Sequence, residues 1–198
     1  MHILKYILLL MTGLMITLPA SAIEGKTPAQ VSMLVNTCVG CHGNDGSSVG
    51  PATPSIAGMR KPLFIKAMQD MKSGKRPSTV MRLLAKGYTD EEVEMMADFF
   101  SKQEVVRYTQ NFEHEKAERG KALHNQYCDG CHKIEGRDQP LFNALSGQWM
   151  PYLKFRLSDF RNGDASSSMM ASALEYFIMN NESEESLDDL LHFYGSQE

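Results

Sequence analysis

Cys38-Val39-Gly40-Cys41-His42 and Cys128-Asp129-Gly130-Cys131-His132 share one five-residue pattern, and together they use all four cysteines of the chain. Two thiols two residues apart, followed at once by an imidazole, have the spacing for covalent haem attachment: the sulfurs add across two vinyl groups and the histidine binds the iron from one face. The same CxxC spacing also serves zinc sites and redox dithiols. A four-cysteine zinc site would have to draw its pairs together from opposite halves of the chain and would leave two identically placed histidines without a role. The strand-helix-strand pattern that surrounds a thioredoxin-like dithiol is missing. The pattern therefore predicts two covalently bound haems c on Cys38, Cys41, Cys128 and Cys131, with His42 and His132 as iron ligands and electron transfer as the chemistry.

The second axial ligand decides what such an iron can do, because a methionine opposite histidine raises the potential and closes the iron to small molecules. Met81 is the first candidate, in the loop between a helix end at Gly74 and a helix cap at Thr89. An ungapped offset of 89 residues carries it to Met170, with Met169 as the neighbouring alternative. Met68, Met71, Met95 and Met96 fall on helical stripes and read as core fillers, the ordinary use of methionine.

The ligating histidines need a group that fixes their rings, and a backbone carbonyl accepting from the second ring nitrogen is the common device. Pro51 and Pro140, each a short distance beyond its histidine, are the candidates. His114, His124 and His192 read as surface or packing histidines. Trp149, the single tryptophan, reads as packing against a haem edge or the core.

These residues are delivered by a unit written twice. The motifs lie 90 residues apart, and the offset then settles at 89: Pro51 matches Pro140, Ile56-Ala57-Gly58 matches Leu145-Ser146-Gly147, Pro62 matches Pro151, and Gly74 matches Gly163. Further on it becomes 94, placing Val93, Met96, Ala97 and Phe100 on Leu187, Leu190, Leu191 and Tyr194. Apolar residues recur at three and four throughout, which is helical spacing. Thr27-Pro28-Ala29-Gln30 and Thr89 with Glu92 have the form of capping boxes. A helix from Pro62 to Gly74 is expected to bury Leu63, Ala67 and Met71, and the closing helix Val93, Met96, Ala97 and Phe100. The second half repeats this with an opening helix containing Ala117 and Leu123, then helices over Pro151 to Gly163, Met169 to Asn180 and Ser186 to Tyr194. The fold class is therefore all-α, as two tandem units related by an internal repeat. A unit of this size is near the lower limit for an independent core, so each lobe is expected to need its haem in order to fold.

The domain reading is a signal peptide over 1–22, a first domain over 23–103, a linker over 104–112 and a second domain over 113–198. Lys5, the apolar run from Tyr6 to Leu18 and the small-residue exit Ala20-Ser21-Ala22 have the form of a secretory leader. That run is short for a membrane helix, which needs about 20 residues, so no membrane span is expected after cleavage, and the compartment is expected to be the periplasm. Without the leader the net charge is −5, which argues against nucleic acid as a partner. Residues 23–103 carry ten basic and eight acidic side chains, against nine and sixteen over 104–198, a dipole able to orient redox partners on approach.

The paired motifs, the Ile-Ala-Gly and Leu-Ser-Gly turns and the loop methionines make the chain resemble the diheme class I cytochromes c. Within that group it looks most like the cytochrome subunit of flavocytochrome c sulfide dehydrogenase. The finer resemblance lies in Pro77-Ser78-Thr79-Val80-Met81, Ala85-Lys86-Gly87-Tyr88, Leu145-Ser146-Gly147-Gln148-Trp149 and Ser158-Asp159-Phe160-Arg161. It implies two tandem class I cytochrome c domains and Met81 as a ligand, with the Met170-Ala171-Ser172 stretch similar to the family's second loop. The Ser166-Ser167-Ser168 run ahead of it departs from the family pattern. The resemblance further implies a partner flavoprotein, the FAD-containing sulfide dehydrogenase subunit, as electron donor and a small soluble electron-acceptor protein. The enzyme itself would then be the complex, with this chain its non-catalytic relay. The alternatives are a free diheme carrier serving terminal oxidases, and an enzyme acting at a haem, such as a peroxidase or thiosulfate dehydrogenase.

Overall fold

The structure is a computed structural model describing residues 27–132, 145–163, 167–181 and 184–197. The expected leader and Pro140 lie outside the described residues. Among the described residues eight α-helices follow one another: α1 (Pro28–His42), α2 (Lys61–Ser73), α3 (Met81–Leu84), α4 (Asp90–Phe100), α5 (His114–Tyr127), α6 (Met150–Arg161), α7 (Ser168–Asn181) and α8 (Glu184–Gly195), with a 3₁₀ turn at Ala85–Gly87. Among the described residues there is no strand.

Both capping boxes form. Thr27 accepts from the Gln30 amide while the Gln30 side chain reaches back to the Thr27 amide, and Thr89 and Glu92 do the same at the start of α4. Each satisfies donors that a helix start leaves without an intrahelical partner.

Two separate cores result. In the first, α1 and α2 pack on α4, and Phe64, Met68, Met71, Val93, Met96, Ala97 and Phe100 are buried. The stripe expected on α4 is buried in full. On α2 the buried face is rotated from the expected one: Phe64 and Met68 join Met71 inside, while Leu63 and Ala67 are only half-buried. The larger ring wins the inner position because it stacks on Phe100, with centroids 5.8 Å apart. In the second core α5 and α6 pack on α8 as α1 and α2 do on α4, burying Leu153, Leu187, Leu190, Leu191, Phe193 and Tyr194.

The repeat is legible in individual hydrogen bonds. The Gly58 amide donates to the Phe100 carbonyl at 2.8 Å, and the Gly147 amide donates to the Tyr194 carbonyl at 2.9 Å. Both glycines have φ near 67°, a left-handed conformation that other residues adopt only under strain. The two turns that enter α2 and α6 are thus pinned in the same way to the ends of α4 and α8.

Residues 104–112, which carry no helix, form a strap tied to both halves. The Val106 amide donates to Ser47 Oγ at 3.0 Å and Arg107 Nε to the Ser146 carbonyl at 3.3 Å. Gln110 accepts from the Met150 amide at 2.9 Å and donates to the Gln148 carbonyl at 3.1 Å. Beyond packing, Trp149 makes a contact between the lobes: its ring stacks on Tyr108 of this strap, and its Nε1–H donates across to the Ser48 carbonyl at 2.8 Å. Its indole therefore joins the lobes, a role that only a contact between the two halves reveals.

Candidate haem-binding sites

In the first lobe α1 carries Cys38 and Cys41 one turn apart and ends at His42, where Gly43 turns the chain with φ 80°. The i, i+3 spacing puts both sulfurs on one face of the last turn. Cys38 is half-buried, its Sγ 4.0 Å from Met96 Sδ, and burial pushes its thiol pKa up. Cys41 is exposed.

His42 is buried, and its Nδ1 lies 2.8 Å from the Pro54 carbonyl. A carbonyl can only accept, so Nδ1 carries the proton and Nε2 keeps its lone pair. Burial pulls the imidazole pKa down, and the bond to Pro54 opposes that pull. The outcome is a neutral ring held at one edge with a ligand nitrogen at the other, which is what a metal-binding histidine needs. The acceptor is Pro54 where the sequence pointed to Pro51. Pro51 lies in an exposed turn closed by the Thr53 amide on the Gly50 carbonyl, whereas the amides of Ile56 and Ala57, both bonded to the Gly46 carbonyl, bring Pro54 back toward α1.

Met81 opens α3; the expected loop thus contains one short helix. It is half-buried against the first core, and its amide donates to Ser78 Oγ at 3.1 Å. In the second lobe the Met170 amide donates to Ser167 Oγ at 3.3 Å, 89 positions on for donor and acceptor alike. Met170 is half-buried, whereas Met169 is 63% exposed.

The second motif follows α5. The Cys128 amide donates to the His124 carbonyl at 2.8 Å, and the His132 amide to the Cys128 carbonyl at 2.8 Å, so the chain keeps turning through the motif. Cys128 is half-buried, and burial pushes its thiol up to about 11, against the opposing hydrogen bond from Tyr194. Cys131 is exposed. His124 is a packing residue as expected: it is fully buried, with Nδ1 2.9 Å from the Tyr194 hydroxyl. His192 is buried and its Nδ1 accepts from the Glu113 amide at 2.9 Å, while His114 is exposed.

Among the described residues no three His, Cys, Asp or Glu side chains are gathered to hold a metal ion, so the four cysteines do not form a zinc cluster. Each motif instead offers one half-buried and one exposed thiol beside its own histidine, a donor set that fits a c-type haem attached at the edge of each lobe. Among the described residues no helix is long and apolar enough to cross a membrane.

Comparison with protein-family models gave no match. Among characterised proteins, the chain is 41% identical over 90 residues to the cytochrome subunit of sulfide dehydrogenase of Chlorobaculum tepidum, a match covering 44% of this chain and 81% of that one. It is 32% identical over 148 residues to cytochrome c4 of Azotobacter vinelandii, covering 64% of this chain and 68% of that one. Among solved structures, reduced recombinant cytochrome c4 from Pseudomonas stutzeri superposes with a TM-score of 0.72 at 25% identity, over 88% of this chain and all of the other. Identity of 32% over 68% of a cytochrome c4, together with the shared fold, shows that the chain belongs to the diheme c-type cytochromes: an all-α electron-transfer protein of two tandem cytochrome c domains with two covalently bound haems c.

Proposed function

We propose that this chain is the electron-transfer subunit of a sulfide-oxidising flavoprotein complex in the periplasm. It takes electrons from an FAD-containing sulfide dehydrogenase subunit and passes them to a small soluble acceptor protein. The observation that carries the reading is the 41% identity to a cytochrome subunit of sulfide dehydrogenase, higher than that to the cytochrome c4 of Azotobacter vinelandii. The uneven charge of the two halves supports it, since a negative second half beside a near-neutral first gives partners two electrostatically different faces.

In this reading residues 1–22 are the export leader, 23–103 and 113–198 the two haem domains, and 104–112 the strap between them. Cys38 and Cys41 would hold the first haem, with His42 and Met81 on its iron; Cys128 and Cys131 would hold the second, with His132 and Met170. The matched hydrogen bonds from the Met81 and Met170 amides to Ser78 and Ser167 support Met170 over Met169, because the same contact recurs 89 positions on. Each haem supplies a one-electron Fe(III)/Fe(II) couple. The chain's own residues orient the imidazole, as Pro54 does for His42, and Met81 and Met170 would offer thioether sulfur as the second ligand of each iron.

A second reading, a free carrier serving terminal oxidases, is favoured by the likeness to cytochrome c4, which extends over most of the chain. Interface size separates the two: a permanent subunit buries about 2,000 Å² or more, a transient redox contact less than about 1,200 Å². Purification of the tagged protein from its own cells at high salt should bring down a stoichiometric FAD protein that reduces it on addition of sulfide. Recovery of the cytochrome alone would overturn the first reading in favour of the second.

A further inference from the structure

The Pro54 carbonyl that fixes His42 and the Ser55 amide that follows it belong to one peptide group, and the two ends of that group are bound to different lobes. On the oxygen side His42 Nδ1 donates at 2.8 Å. On the nitrogen side the Ser55 amide donates to Gln148 Oε1, in the second lobe, at 2.9 Å. Gln148 Nε2 in turn donates to the Ser55 carbonyl at 3.1 Å, so one side-chain amide grips Ser55 at both backbone groups. Gln148 is held in place by the strap, because its own carbonyl accepts from Gln110 Nε2 at 3.1 Å.

We propose that Gln148 is a positioning residue for the first haem site, acting from the opposite lobe through the Pro54–Ser55 peptide on His42 and so setting the reduction potential of the first iron. The inference rests on His42 being an iron ligand. An amide that donates at its nitrogen is polarised and accepts more strongly at its oxygen. A stronger acceptor at Pro54 draws the Nδ1 proton and makes the His42 ring more electron-rich, as hydrogen-bonded partners of ligating histidines do. A richer ligand favours the ferric iron, so Gln148 holds the first potential down. The arrangement is one-directional in sequence: 89 positions earlier stands Met59, whose side chain has no amide to return the contact. The two haem sites, otherwise written by one repeated unit, are thereby made unequal.

The test uses the holoprotein with both haems, their potentials separated by following assigned haem resonances through a redox titration. Gln148→Leu keeps the bulk of the side chain and removes both hydrogen bonds. The expected result is a higher potential for the first haem, an unchanged second, and faster hydrogen exchange at the Ser55 amide. Trp149→Phe is the control, cutting the neighbouring bond between the lobes to the Ser48 carbonyl while sparing the Pro54–Ser55 peptide; it should leave the first potential in place. An unmoved first potential in Gln148→Leu, an equal shift of both haems, or an equal rise in Trp149→Phe would overturn the proposal. If Gln148→Leu fails to accumulate, the unsubstituted holoprotein still decides: a slowly exchanging Ser55 amide is expected, and exchange at the rate of an open loop would overturn it. Failure of the ligand assignment shows separately, as the absence of paramagnetically shifted His42 ring signals before any substitution is made.

Discussion

Gly120 of α5 sits directly against the Asp189 carbonyl of α8: a Cβ at Gly120 would lie 2.0 Å from that oxygen and 2.9 Å from Phe193 Cβ. The contact is with backbone, so a side chain there can be accommodated only by moving one helix off the other. The approach also lets Arg119 reach Asp189 with two hydrogen bonds, at 2.8 and 2.7 Å.

Gly120→Ala should therefore destabilise the second lobe. Overpacking a close contact costs about 1–3 kcal/mol, and the better helix propensity of alanine returns at most about 1 kcal/mol. Thermal unfolding of the holoprotein, followed through signals of each haem separately, should show the second-lobe transition lowered and the first nearly unchanged. An unchanged second transition would mean that α5 and α8 do not cross at Gly120.

Substituting the methionines should sort them into two kinds. Met81→Ala should lower the potential of the first haem and open it to added cyanide, and Met170→Ala should do the same at the second. Met169→Ala, at a position 63% exposed, should do neither. The spectra and potentials of the three variants check this, and a Met169→Ala protein that binds cyanide at its second haem would transfer the ligand role from Met170.

Acid should weaken the second lobe through Asp188. The hydrogen bond from Lys116 holds the Asp188 carboxyl below its ordinary value of 3.8, with Lys154 of α6 and His192 of α8 adding to the effect and burial opposing it. Glu113 faces the same lysine at 2.7 Å. A depressed folded-state pKa contributes stability that is present above the ordinary carboxylate range and lost as pH falls through the folded value. Asp188→Asn should thus lower the second-lobe melting temperature at pH 7 and flatten its decline below about pH 4. A decline as steep as in the parent protein would assign the acid sensitivity to other groups.

The sequence carried the local features well because each is encoded within a few residues. The capping boxes at Thr27 and Thr89, the Val93–Phe100 stripe and the Gly58/Gly147 correspondence all depend on spacing alone. The inward face of α2 is not legible from spacing, since Leu63 and Phe64 are both apolar and only the ring of Phe100 decides which turns inward. Spacing points to Pro51 and not to Pro54 because the return of the chain depends on hydrogen bonds to the Gly46 carbonyl, which spacing does not reveal. Trp149 and Gln148 act between the halves, where the repeat pattern carries no information. A hint was present nonetheless: Gln148 breaks the repeat by standing opposite Met59, and a departure of that kind marks a residue with a task of its own.

The central claim is that both pentapeptides hold haem through thioether links. It is tested most directly by the intact mass of the protein purified from cells competent in cytochrome maturation. The expected mass exceeds that of the polypeptide by two haems, with no thiol open to alkylation after denaturation. A chain mass without haem and with four alkylatable cysteines would contradict it.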